Sequence, residues 1–199
     1  MGSYIGIGFV YNIIEDGLEK ELRNLVNYLI RREGSIESIK FSKDEDGNEW
    51  VEERLKNNID IEEFYSLLAN GYFGQLHAVC NILNIQKLNV YIRIDKVDKN
   101  YFGLLLDISE EELIEESSVE NINKVTDRII GLLNDLYEVS GFNYAFCDNE
   151  AEIQYSPIEF QSIDEKVYSI VALPTTGEGK KLLIIKSGWH IDGLTTRMI

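Results

Sequence analysis

"QLHAVCNILNIQKLNVYIRID", residues 75–95, decides the fold class. Leu76, Ala78, Cys80 and Ile82 fall at alternate positions and share one face, and so do Leu88, Val90, Ile92 and Ile94. A period of two puts successive side chains on opposite sides of a strand, so each run has one buried and one wet face, the pattern of antiparallel sheet. The link around "NIQ" is short enough for a hairpin. A third strand is expected at 101–108, "YFGLLLDI", after the short link "KVDKN".

Working outward, residues 4–11, "YIGIGFVY", read as a buried strand in which Gly6 and Gly8 mark a bulge or the close approach of another backbone. Asp16 and Glu19 have capping-box spacing, and Leu18, Leu22, Leu25, Val26, Leu29 and Ile30 then form a helical stripe ending at Gly34. A strand is predicted at 35–42, a turn of type I′ at Asp46-Gly47, a short helix from Trp50 to Leu55, and another at 61–69 after Asp60 with Phe64, Leu67 and Leu68. The second long helix spans about 118–139, capped by Ser117 and Glu120, with Val119, Ile122, Val125, Ile129, Leu132, Leu133 and Leu136 as its core stripe. Strands follow at about 143–147, 151–155, 167–173 and 181–187. The expectation is an α+β fold: one domain over residues 1–199, a mostly antiparallel sheet and two long helices packed on one face. No linker rich in Pro, Gly or Ser divides the chain.

Charge is the most informative bulk property. The 199 residues carry 35 acids against 19 lysines and arginines, a net of −16. Residues 100–165 hold 16 of those acids and only two bases, Lys124 and Arg128, a net of −14, whereas 166–199 are net +3. Such asymmetry steers a basic partner and disfavours nucleic acid or anionic membrane, which require positive surface. Apolar runs are too short to span a bilayer, and no signal peptide is expected before the first strand. Two cysteines, Cys80 and Cys147, are too few for a disulfide framework. A cytoplasmic protein is expected.

The acids cluster twice. "SEEELIEESSVE", 109–120, has six glutamates and no base. Helix-dipole complementarity explains part of that run but not the lack of lysines at i,i+4. "YAFCDNEAEIQY", 144–155, holds Asp148, Glu150 and Glu152. On a strand these would form a row able to bind a divalent cation, face a basic partner, or simply meet solvent; if "DNE" is a turn, Asp148 and Asn149 are turn formers. The reading adopted is a partner-facing surface made by Asp107, Glu110, Glu111, Glu112, Glu115, Glu116, Asp148, Glu150 and Glu152, with Tyr144 and Tyr155 as aromatic anchors.

Other motifs fail on spacing. "DEDGNE", 44–49, places Gly47 fourth rather than sixth and Leu55 where a calcium loop needs Glu. "TTGEGKK", 175–181, lacks the first glycine and the hydroxyl of a phosphate loop, and Tyr11 stands where "GIG" needs a third glycine. His77 and His190 lie far apart, and neither cysteine stands at a helix start. Neither catalytic residues, nor a metal, nor a cofactor is expected.

The stretch "GSYIGIGFVYN", 2–12, followed by an amphipathic helix, resembles the start of a bacterial immunity-protein family of the polymorphic-toxin and contact-dependent inhibition systems. The resemblance implies a small cytoplasmic α+β protein that is not an enzyme, binds a cognate toxin domain one-to-one and occludes its active surface. The alternatives are an acidic nucleic-acid-mimicking inhibitor from a phage or mobile element, or an enzyme gathering His77 or His190 with carboxylates.

Overall fold

The computed structural model describes residues 3–12, 17–55, 61–96, 100–164, 166–176, 179 and 181–197. Asp16 and Asp60, expected at helix starts, lie outside the described residues. In chain order the elements are β1 (Tyr4–Asn12), α1 (Gly17–Ile30), β2 (Ser35–Ser42), β3 (Trp50–Arg54), α2 (Glu62–Asn70), β4 (Gly74–Ile82), β5 (Ile85–Asp95), β6 (Tyr101–Ser109), α3 (Glu110–Leu113), α4 (Val119–Val139), β7 (Tyr144–Asn149), α5 (Pro157–Phe160), β8 (Ile170–Pro174) and β9 (Leu182–Lys186). The fold is α+β. Its strands form a nine-stranded antiparallel sheet in the order β3-β2-β4-β5-β6-β1-β7-β8-β9.

The 75–95 stretch forms the expected hairpin. Leu83 (φ 55°) and Asn84 (φ 59°) both occupy the left-handed region, as a two-residue type I′ connection requires, and Ile82 pairs with Ile85 across it. The central strand β6 is buried along Tyr101–Leu106, so its apolar run is continuous rather than alternating.

One side of the sheet presents Ile5, Ile7, Ile39, Leu76, Val90, Leu104 and Leu106. These join one hydrophobic cluster with Leu22, Val26 and Leu29 of α1 and Ile122, Ile129 and Leu133 of α4. The other side presents Val10, Leu105, Phe146 and Val171, which cluster with Ala151, Ile153, Phe160 and Tyr168 from the segment after β7.

Several expectations need correcting. Trp50–Arg54 is an edge strand, not a helix: "WVEER" is too short to hold a helix and its backbone groups pair with β2 instead. Residues 151–155 are extended but join no ladder. The N-cap of α4 is Ser118, whose hydroxyl accepts from the Asn121 amide, rather than Ser117. Val119, Ile30 and Leu67 face outward at their helix margins instead of joining the core. At 46–47 only Gly47 has positive φ (69°), so the turn is not type I′; the Asp44 carboxylate organises it by accepting from the Asn48 amide at 3.0 Å.

Candidate functional site: the second face of the sheet

In antiparallel pairs, residues opposite one another point to the same side. The register therefore builds a row across the second face: Ser38, His77, Tyr91, Asp107, Gly6 and Asp148, from β2 through β4, β5, β6 and β1 to β7. The next row runs Lys40, Gln75, Arg93, Leu105, Gly8 and Phe146. Half of this face is covered and half is open.

The cover begins where β7 ends. Glu150 turns the chain with φ 46°, its amide donating to the Tyr4 carbonyl at 2.9 Å. The extended residues that follow point Ala151 and Ile153 inward and Glu152 and Gln154 outward. Glycines make room for them: a Cβ on Gly6 would stand 2.8 Å from the Ala151 Cβ, and one on Gly103 would overlap Ile153 Cδ1. This is the close approach expected at Gly6. Two tyrosines tether the backbone that joins no ladder. Tyr144 donates to the Tyr155 carbonyl at 2.6 Å and Tyr168 to the Glu152 carbonyl at 2.9 Å. Tyr144 is only 1 % exposed and stacks on Phe160, so it belongs to the core and offers no surface anchor. Tyr155 is half-buried.

Asp148, Glu150 and Glu152 form no row, because the turn at Glu150 breaks the alternation. Asp148 is tied down by residues flanking β8 and β9: Trp189 Nε1 donates to it at 3.1 Å, and so does the Ser169 amide. Burial pushes its carboxyl above the usual value, against those bonds. Glu152 receives Arg93 Nη1 on both oxygens at 3.0 Å, and Arg93 Nε reaches Asp107 at 2.9 Å. Burial raises the Asp107 carboxyl although Arg93 pulls the other way, and Asp107 Oδ1 is buried without a partner. The compensating base that the local sequence lacks thus comes from β5, 59 residues away.

The two acidic segments do meet. Asn149 Nδ2 donates to Glu110 at 3.3 Å, and Glu112 accepts from the amide and side chain of Asn89 on β5, both at 3.1 Å. Glu111, Glu115, Glu116 and Glu150 are exposed and form no ion pair among the described residues.

Nothing in this geometry resembles a reaction centre among the described residues. Among the described residues, no group of three or more His, Cys, Asp or Glu could hold a metal ion. Burial pushes the Cys80 thiol up to about 11 and Cys147 well above its usual value, so neither supplies a thiolate at neutral pH. No helix among them is long and apolar enough to cross a membrane. The family model described as Immunity protein 64 matches residues 1–197. The chain belongs to this family of bacterial immunity proteins. No curated protein and no solved structure gives a match.

In this Immunity protein 64 family member, the cover on the second face reaches Arg93 and stops. Beyond it, β5, β4, β2 and β3 present Tyr91, His77, Gln75, Lys40 and Trp50, with Phe73 just before β4. His77 stacks on Tyr91 at 4.6 Å, and its Nε2 lies 3.0 Å from Asn89 Oδ1, which can only accept, so Nε2 carries the hydrogen. Lys40 Nζ sits 4.7 Å over the Trp50 ring and forms no ion pair among the described residues. Of these residues, sequence reading weighed His77 alone as a candidate site residue, in the enzyme alternative. The available signal was an aromatic, Tyr91, on the wet face of an alternating strand.

Proposed function

We propose that this protein binds and neutralises a cognate toxin domain, occluding its active or substrate-binding surface through an acidic face. Family membership implies the toxin partner. The observation that carries the acidic face is the meeting of the two carboxylate-rich segments through Glu110 and Asn149, with Glu111, Glu115, Glu116 and Glu150 left exposed beside them. Within a region of net −14, unneutralised carboxylates on one edge draw in a basic surface and disfavour nucleic acid and membrane. Asp107, Asp148 and Glu152 support the edge from behind, and Tyr155 lies away from it, beside Tyr144 and Phe160. On this reading the chain acts in the cytoplasm as one α+β domain, without catalysis or cofactor. Helices α1 and α4 both cover the first face of the sheet, and the toxin meets the second.

The test is a variant with Glu111, Glu115, Glu116 and Glu150 all changed to Gln, measured against the toxin domain from which this chain protects cells. Unpaired surface charges contribute little to stability, so the melting temperature stays within a few degrees. Association at low salt slows by about tenfold and its salt dependence flattens. Unchanged association by a stable variant carrying Lys at all four positions, with full protection of cells producing the toxin, rejects the acidic face.

A further inference from the structure

We infer that the open half of the second face, on β3, β2, β4 and β5, is where the toxin's binding energy is concentrated, and that it receives an apolar side chain from a cationic toxin segment. This rests on the toxin-binding reading above and extends it to a surface that the acidic segments do not include.

Trp50, Phe73 and Tyr91 are 45 %, 47 % and 41 % exposed, on the second face of the sheet. Trp50 and Phe73 stack at 6.2 Å and, with Lys40, Gln75, Arg93 and Asp95, line a cavity of about 260 Å³. That lies just below the ~300–1,000 Å³ of small-molecule sites, so it suits an inserted side chain better than a cofactor. Rigid aromatics beside an arginine are the residue types that carry hot spots in protein interfaces.

The acidic edge identifies the occupant. Tyr91 stands opposite Asp107 in the ladder, and the His77 ring stacked on it is hydrogen-bonded to Asn89, which Glu112 holds. The aromatic patch and the carboxylate edge are therefore one continuous surface. A partner drawn to the edge by positive charge reaches the aromatic floor in the same encounter. Arg93 does not oppose it, because Asp107 and Glu152 neutralise the guanidinium from behind. A second copy of this chain would bring another net charge of −16 against the same surface, and nucleic acid or an anionic membrane would meet the same repulsion.

The experiment compares Trp50→Ala/Phe73→Ala and, separately, Tyr91→Ala with the wild-type chain, using the toxin domain from which this chain protects cells in stopped-flow association and surface-capture dissociation. Circular dichroism melts check folding, and Tyr91→Ala provides the readout if the double variant does not fold. The expected result is a Kd raised about 30-fold or more by the double variant and about tenfold by Tyr91→Ala, carried by dissociation, with association changed less than about threefold. If the four-glutamine variant slows association while both aromatic variants bind within about threefold of wild type, the acidic face stands and this inference falls. If the wild-type chain forms no complex with that domain, the toxin-binding reading falls and takes this inference with it.

Discussion

Replacing Arg93 with Met should expose how the covering segment is fastened. The alkyl stem is kept and the guanidinium is lost. The Asp107 side chain is 14 % exposed, that of Arg93 31 % and that of Glu152 49 %. Removing one partner of a buried pair costs about 3–5 kcal/mol, because the other charge stays buried and uncompensated. Partial exposure of Arg93 discounts that figure, and the half-solvated Glu152 contact adds only about 0–1 kcal/mol. A loss of about 3 kcal/mol follows, which for a chain of this length lowers Tm by about 6–12 °C. The pH dependence carries the sign. Burial already holds the Asp107 carboxyl above its unfolded value, and loss of Arg93 raises it further. A carboxyl whose folded pKa is raised binds its proton more tightly in the native state, so stability is fullest below the unfolded value of about 3.9 and falls as pH climbs through the folded one. Urea unfolding of Arg93→Met should therefore show a larger deficit at pH 7 than near pH 4.5, and adding Asp107→Asn should recover most of the loss at pH 7. A deficit under about 1 kcal/mol, equal deficits at both pH values, or no recovery in the double variant would refute the buried-pair reasoning.

Ile129→Ala, in the fully buried stripe of α4, should cost about 2–5 kcal/mol in denaturant unfolding; under about 1 kcal/mol would show that the helix is peripheral. Gly103→Ala should destabilise by about 1–3 kcal/mol through overlap with Ile153 Cδ1, and Ile153→Val, which removes that methyl, should recover part of it in the double variant. Millimolar calcium or magnesium should leave Tm unmoved, since ligand that binds the native state must raise apparent stability; a large saturable rise would reveal a cation site among these carboxylates.

The hairpin at 75–95 and the long stripe of α4 were legible in the sequence because burial there follows the local period of two or of 3.6, which needs no knowledge of partners. The family resemblance lay in "GSYIGIGFVYN", and the tight packing implied by Gly6 was readable from the glycine itself. Trp50–Arg54 was misread because five residues carry too little periodicity; pairing with β2 makes them a strand, and pairing is a tertiary fact. Residues 151–155 alternate as a strand does, yet their backbone is held by tyrosine hydroxyls rather than a ladder, and that depends on where Tyr144 and Tyr168 lie. The clearest division is at the acids. Their number and their lack of nearby bases were plain from composition. Which stay free and which are held was decided by contacts over long sequence distances, Arg93 with Glu152 and Trp189 with Asp148. Burial and charge pairing depend on neighbours in space, so only the folded chain separates an exposed Glu115 from an Asp107 half-buried in the sheet and paired with Arg93.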